Sequence, residues 1–335
     1  MPVPNVFRSN IFTETSLTAS ILDLPHVPAR IFDLGLFIER GVSTTEVWVE
    51  EKAGQLRLLQ TSPRGAPPAQ HFSDKRKARS FRVPHITLES TIYADQIQDV
   101  RSFGSETTEE TTQMLINEHL EDMKRQHEVT HEHMRVGALR GQILDANGEV
   151  IYDLFDEFGV AQQTQDFDFE NASAKIRTTC LSVQRAIEDE LGATPSTGMR
   201  AICGRDFFDA LISHPDAERA YERFQAGEML RNDPRAAFPF GGIQFEEYRG
   251  QVNGRPYVPR DQAYVFPEGT DLFIKRNAPA DFMSTVNTIG LPLYAKSEIG
   301  DMERSITLHT QSNPLPLNLR PRTVVKCSIA GASAG

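Results

Sequence analysis

The chain has 335 residues, of which 39% are hydrophobic and 24% charged, and its formal net charge is −11. It is long enough for two domains or one elaborated domain, and no apolar run reaches the length of a membrane span. Met1-Pro2-Val3-Pro4 opens without the basic and apolar regions of a signal peptide, and no Walker-type loop or G-x-G-x-x-G occurs to cradle phosphates.

Residues 1 to 30 are rich in Ser, Thr and Pro, with small apolar clusters at Val6-Phe7, Ile11-Phe12 and Ile21-Leu22-Asp23-Leu24. Such a segment has no core of its own and gains order by lying on another surface. From Ala53 to Arg82 the chain turns basic: Arg57, Arg64, Lys75, Arg76, Lys77, Arg79 and Arg82 stand against one acid, Asp74. Around this stretch Val47 and Val49, Leu56 and Leu58, then Phe81, Val83, Ile86 and Leu88 alternate as strands do. The pattern predicts a long two-stranded arm with its tip at Pro63-Arg64-Gly65-Ala66-Pro67-Pro68.

A basic arm on an acidic body fits docking onto a neighbouring copy. Arg57, Arg64, Lys75, Arg76, Lys77 and Arg79 are then the candidate assembly interface. Nucleic-acid binding competes, because clustered cations also neutralise phosphates. Against it, the stretch has little aromatic interleaving (His71, Phe72, Phe81) and no DNA- or RNA-binding signature. A solvated loop is the third reading.

A long helix follows over residues 105 to 140. Ser105, Thr107 and Thr108 offer N-caps, Thr107 with Glu110 forms a capping box, and Glu106, Glu109 and Glu110 complement the helix dipole. Ile116, Leu120, Met123, His127, Thr130 and Met134 make one thin stripe, and most other positions are charged. That balance predicts a helix roughly 50 Å long lying across a surface and not through a core.

Within it, His127-Glu128-Val129-Thr130-His131 matches H-E-x-x-H, the zinc-peptidase pattern in which two His bind the metal and Glu is the general base. A metzincin continuation needs Gly at 134 and His at 137, where this chain has Met134 and Gly137. Glu149 or Glu157 would have to supply the third ligand, and Glu149 sits beside a turn. The expectation is therefore a solvated helix face with no metal and no catalytic residue.

Ile143-Leu144 and Val150-Ile151 flank Asn147-Gly148, the pair preferred in a two-residue type I′ hairpin. Next come a helix from Ala172 to Leu191 capped by Asn171, a strand at Met199 to Cys203, and helices at Asp206 to Ser213 and Pro215 to Met229. Strands are predicted at Ile243 to Tyr248, Ala263 to Phe266 and Leu272 to Lys275, with a turn at Pro267-Glu268-Gly269. Asn313 to Pro321 reads as an extended edge or connector, Thr323 to Ile329 as a last strand, and 331 to 335 as a loose tail. Cys180, Cys203 and Cys327 are an odd number at unpatterned spacing, so they read as reduced thiols of a cytoplasmic product, without a disulfide framework or metal knuckle.

Taken in order, several stretches resemble the lambda-like E family of tailed-phage major capsid proteins, which have the HK97 fold. They are Leu34-Gly35-Leu36-Phe37 with Gly41-Val42-Ser43-Thr44, Val83-Pro84-His85-Ile86-Thr87-Leu88-Glu89 with Ile97-Gln98, and Arg101-Ser102-Phe103-Gly104. Further along come Leu144-Asp145-Ala146-Asn147-Gly148 with Asp153-Leu154-Phe155, Tyr264-Val265-Phe266-Pro267, Asn313-Pro314-Leu315 and Arg320-Pro321.

The resemblance implies an α+β fold. Its parts are an N-terminal arm (1–40), an extended E-loop region (41–104), a spine helix (105–140), a peripheral domain (141–195 with 300–335) and an axial domain (196–299). It implies a structural head protein, not an enzyme, that needs no cofactor. Copies would assemble into hexamers and pentamers of an icosahedral shell, enclosing double-stranded DNA without sequence-specific binding. Decoration, scaffolding and portal proteins are the further partners it implies, with no membrane. The location implied is the virion, assembled in the host bacterial cytoplasm. In that frame H-E-x-x-H is an accident of the spine helix. Two alternatives stand beside it: a cellular nanocompartment shell of the same fold, and a zinc metallopeptidase.

Overall fold

A computed structural model describes residues 14–23, 29–51, 77–98, 108–218, 220, 238–252, 254–300 and 304–329. Helices α1 (Glu14–Asp23) and α2 (Arg30–Asp33) lead into strand β1 (Ile38–Gly41). The arm root follows as β2 (Glu46–Glu51) and β3 (Lys77–Arg82), then β4 (Ile86–Tyr93), α3 (Ala94–Gln98) and the spine helix α4 (Thr108–Arg140). Beyond the spine come β5 (Gln142–Leu144), β6 (Val150–Asp153), α5 (Leu154–Phe158), β7 (Gln163–Asp166), α6 (Ile176–Leu191), β8 (Gly198–Cys203) and α7 (Arg205–Ser213). The remainder is β-rich: β9 (Phe238–Phe240), β10 (Ile243–Glu247), β11 (Gln251–Val252), β12 (Arg255–Pro256), β13 (Gln262–Glu268) and β14 (Phe273–Asn277). Last are β15 (Tyr294–Ile299), β16 (Ser305–Ser312), β17 (Pro314–Asn318) and β18 (Val325–Ser328).

Two packing units emerge. In one, a six-stranded sheet in the order β7-β18-β13-β8-β10-β9 is covered by α6 and α7. Ile176, Cys180, Val183, Ile187 and Leu191 give α6 one apolar stripe, which packs with Phe207, Phe245 and Phe266 in a continuous core. In the other, α4 runs along β4 and β16 of the sheet β15-β16-β4, and along β17 of the sheet β1-β14-β17. Leu17, Ile21, Ile92, Ile116, Leu120 and Leu308 fill one end of this unit. Val47, Val49, Phe81, Met134, Ala138 and Leu315 fill the other, beneath the arm root. Segments 196–299 and 300–335 each contribute strands to both units.

Several expectations change. The spine's stripe is buried at Ile116, Leu120, Met123, His127 and Met134. From His131 to Leu139, however, every residue but His133 is buried, so the helix enters the core and does not merely lie on a surface. The reason is that α2, β5 and β17 close round its last turns.

The hairpin β5–β6 is not type I′. That turn needs positive φ at both Asn147 and Gly148, and only Gly148 has it (φ 87°). Gly148 N donates to Asp145 O at 2.9 Å and Asp145 N to Glu149 O at 2.8 Å, a type I turn closed by a left-handed glycine. The strands absorb the extra residue as a bulge next to Ile143.

Helix α6 starts at Ile176 and not after Asn171. Asn171 instead closes a turn, its Oδ1 accepting from Ser173 N at 3.0 Å and its carbonyl from Ala174 N at 2.8 Å. Pro267 and Glu268 belong to β13, leaving Gly269 (φ 71°) to make the turn. Thr323 and Val324 lie outside the last strand, which begins at Val325. β17 is an edge strand, as Asn313 to Pro321 predicted, yet all five of its residues are buried because α4 lies over it. β1, β7, β15 and β16 were not predicted. The arm tip at 63 to 68, the tail at 331 to 335 and most of the Pro215 to Met229 helix fall outside the described residues, which are helical at 215–218. Among the described residues no helix is long and apolar enough to cross a membrane.

Candidate functional site

The H-E-x-x-H turn faces inward, contrary to the solvated face expected from its charged neighbours. His127 is 2% exposed and His131 6%. His127 lies within hydrogen-bonding distance of two hydroxyls of β16, Nδ1 to Ser312 Oγ at 2.8 Å and Nε2 to Thr310 Oγ1 at 3.0 Å. His131 Nε2 reaches the same Ser312 Oγ at 2.9 Å. Both nitrogens of His127 are thus engaged, whereas a zinc ligand must keep one lone pair for the metal. Glu128, the general base of the motif reading, lies 3.9 Å from the Lys124 ammonium.

Burial, with a further contribution from His309, pushes His127 down to about 4. Burial, then Lys275, Arg135 and His127, holds His131 well below the ordinary histidine range. Burial thus disfavours the charged form of both rings, and this turn packs against the hydroxyls of β16.

One helical turn on, the spine carries a buried ionic cluster that joins distant segments. Glu132 accepts hydrogen bonds from Ile31 N of α2 at 2.7 Å and from the Tyr248 hydroxyl at 2.8 Å, with Arg135 at 3.4 Å. Arg135 reaches toward Glu39 of β1 at 4.0 Å and lies over the Phe32 ring, 5.0 Å from its centroid. Glu39 also accepts from Lys275 Nζ at 3.0 Å and Asn277 Nδ2 at 2.7 Å, both from β14. Burial pushes Lys275 down to about 8, with Arg135 adding to the fall and Glu39 opposing it. Burial also pushes Glu39 up, but Lys275, Asn277 and Arg135 outweigh it and leave the carboxyl below its ordinary range. A second network, Arg30 and Arg200 on Glu246 with Arg200 also on Glu268, ties α2 to the six-stranded sheet. Buried charges persist only when paired and hydrogen-bonded, and here every pair but Glu132–Arg135 joins different elements.

The arm root is equally well made. β2 and β3 pair antiparallel from Glu46↔Arg82 to Glu51↔Lys77. Val47, Val49 and Phe81 turn inward onto Tyr152 and Phe158, while Trp48 on the other face is 65% exposed. Of the candidate interface residues, Arg79 bends back onto its own subunit. Its guanidinium donates to Phe158 O at 3.4 Å and stacks over the Phe158 ring at 5.3 Å. Lys77 begins β3, and Arg57, Arg64, Lys75 and Arg76 lie outside the described residues.

The described residues thus show a two-stranded arm root packed beside the end of a long spine helix that itself packs along two sheets. The model of phage major capsid protein E matches residues 13–329. The chain belongs to the phage major capsid protein E family. It is a structural, shell-forming protein of phage capsids, with the HK97-like fold. The major capsid protein of Pseudomonas phage KPP10 is 30% identical, covering 97% of this chain and 98% of its own length. That of Salmonella phage Felix O1 is 25% identical over 96% of this chain and 97% of its own length. The capsid of the myovirus phage XM1 matches in fold with a TM-score of 0.51 at 10% identity, covering 91% of this chain and 94% of the other.

Two features escaped sequence reading. The ionic cluster is one, although His127 on the apolar stripe signalled an inward turn. The other is the loop from Phe282 to Leu291, whose Gly290 packs against the backbone of Asn277 and Ala278.

Proposed function

We propose that this capsid protein closes its shell from hexamers and pentamers around a double-stranded DNA genome, in the host cytoplasm, without catalysis. In this reading the six-stranded-sheet unit converges on the capsomer axes and the spine unit lies outside it. The arm extends over the next subunit, where Arg57, Arg64, Lys75 and Arg76 near its tip meet acidic surface; Arg79 anchors its root. The observation that carries the reading is the arm itself: a strand pair that begins on a packed root and continues into a strongly basic segment. The acidic net charge keeps the bulk of the shell from adhering to the packaged genome. Many modest contacts between arms and bodies add up to a closed particle. Decoration, scaffolding and portal proteins are its proposed further partners.

Sedimentation and negative-stain electron microscopy of the expressed chain test this. Closed shells, or rings of five and six, are expected. A chain that stays monomeric at high concentration, with and without the products of its neighbouring head genes, would contradict the reading.

A further inference from the structure

The loop between β14 and β15 turns three large apolar side chains outward: Met283 is 92% exposed, Ile289 71% and Val286 57%. Thr285, by contrast, is buried, and its Oγ1 donates to Ala280 O at 2.7 Å. Thr288 Oγ1 donates to Thr285 O at 2.7 Å, and the Tyr294 hydroxyl of β15 accepts from Leu291 N at 2.8 Å. Three large apolar side chains exposed on one short loop are more than the scattered single exposures of an ordinary surface.

The loop is tied to the body at its far end. Gly290 N donates to Val42 O at 2.9 Å, and the backbones pack so closely that a Cβ at Gly41 would collide with the Gly290 carbonyl.

Its setting points to a partner. An open groove of about 710 Å³ runs between Val286 and Asn287 on this loop and Arg82 at the arm root. Arg82 pairs with Glu46, and Trp48 is the next residue along that same outer face of the hairpin. Among the described residues Met283, Ile289, Trp48 and Val286 are the most exposed large hydrophobics, and Arg82 and Asp281 supply a polar rim to the groove. An apolar centre rimmed by charge is the make-up of a protein contact.

We infer that the 282–291 loop, with the arm root across the groove, is a contact surface between copies of this chain, covered by a second subunit in the shell. The inference rests on the shell-subunit reading above. The occupant is a second copy because the surface is continuous with the root of the arm proposed to bridge subunits, and because copies are the partner a shell protein meets at equal stoichiometry.

Met283→Cys provides the test, since all three native cysteines are buried and burial pushes their thiols up. Iodoacetamide should modify the new thiol at least tenfold more slowly in intact shells than in subunits dissociated from them. Equal rates would overturn the inference, as would a thiol that stays reactive in bare shells and is protected only when a different protein is added. Met283→Asp combined with Ile289→Asp gives a second readout. The subunit should keep its far-UV circular dichroism and melting temperature while shell yield falls at least tenfold. Shells at wild-type yield from that folded variant would also overturn it. Wild-type protein that forms no shells would instead count against the shell reading itself.

Discussion

Acid should loosen the subunit through the spine helix before it reaches the carboxylates. His127 titrates near 4 in the folded protein against 6.5 when free. The unfolded chain therefore takes up its proton first, so stability is lost as pH falls below 6.5 and the loss is complete near 4. At about 1.4 kcal/mol per pH unit, His127 alone accounts for about 3 kcal/mol over that whole range, and about 2 kcal/mol between pH 6.5 and 5. His131 is depressed in the same direction and adds to the loss. The charged groups acting on the two rings are Lys275 from β14, Arg135 from the spine and His309 from β16, so a proton on either ring adds repulsion. Glu128 and Glu39 border the same cavity of about 320 Å³, but they lie against Lys124 and Lys275.

Urea unfolding of unassembled subunits between pH 7 and 5 measures this, with His127→Gln as the comparison. The glutamine amide keeps a donor and an acceptor for Thr310 and Ser312 but does not titrate. The variant should show about 2 kcal/mol less loss between pH 6.5 and 5 than the wild type. Parallel stability curves for the two proteins would refute the assignment of His127 as a neutral, buried packing residue.

Two further outcomes follow from the same contacts. Lys275→Met should destabilise the subunit by about 2–3 kcal/mol in urea, because it leaves Glu39 without its closest ammonium, with the usual buried-pair cost reduced since Glu39 is 28% exposed. Adding Glu39→Gln should recover at least half of that. Lys75→Glu with Arg76→Glu should cut shell yield in sedimentation, and wild-type assembly should weaken as salt is raised; unchanged assembly in both experiments would remove the electrostatic role of the arm.

How much of this was legible depended on how local the signal was. The spine helix, the arm root and the strand at Gly198 to Cys203 were readable because each rests on periodicity within a dozen residues. The stripe included His127, yet its H-E-x-x-H turn read as a solvated face. What misled was the count of charged residues between 121 and 135, which reads as a wet surface when partners are unknown. Glu132 finds its donors at Ile31 and Tyr248, more than a hundred residues away in each direction, and Glu39 finds Lys275 over a separation of 236. No window of sequence contains both halves of those pairs. β16 was missed for a related reason. Ser-Ile-Thr-Leu-His-Thr-Gln-Ser alternates weakly, and its buried polar residues, Thr310, Gln311 and Ser312, look like a loop until the spine histidines are set against them.

The two features that sequence alone did not reveal are opposite answers to one requirement. A shell subunit must stay soluble as a single chain and then bind its neighbours without refolding. Inside, the spine uses paired charges where an apolar core would have been as stable or more so, which fixes a single register of α2, β1, β14 and the spine, because only one register pairs them. Outside, the 282–291 loop spends its polar groups on its own shape and leaves Met283, Val286 and Ile289 to water. If the interior cluster serves registry, Lys275→Met with Glu39→Gln should recover stability in urea and yet assemble into less uniform particles than wild type. Particles of wild-type uniformity from that stable double variant would show that the charges contribute stability alone and that registry is set by the apolar packing around them.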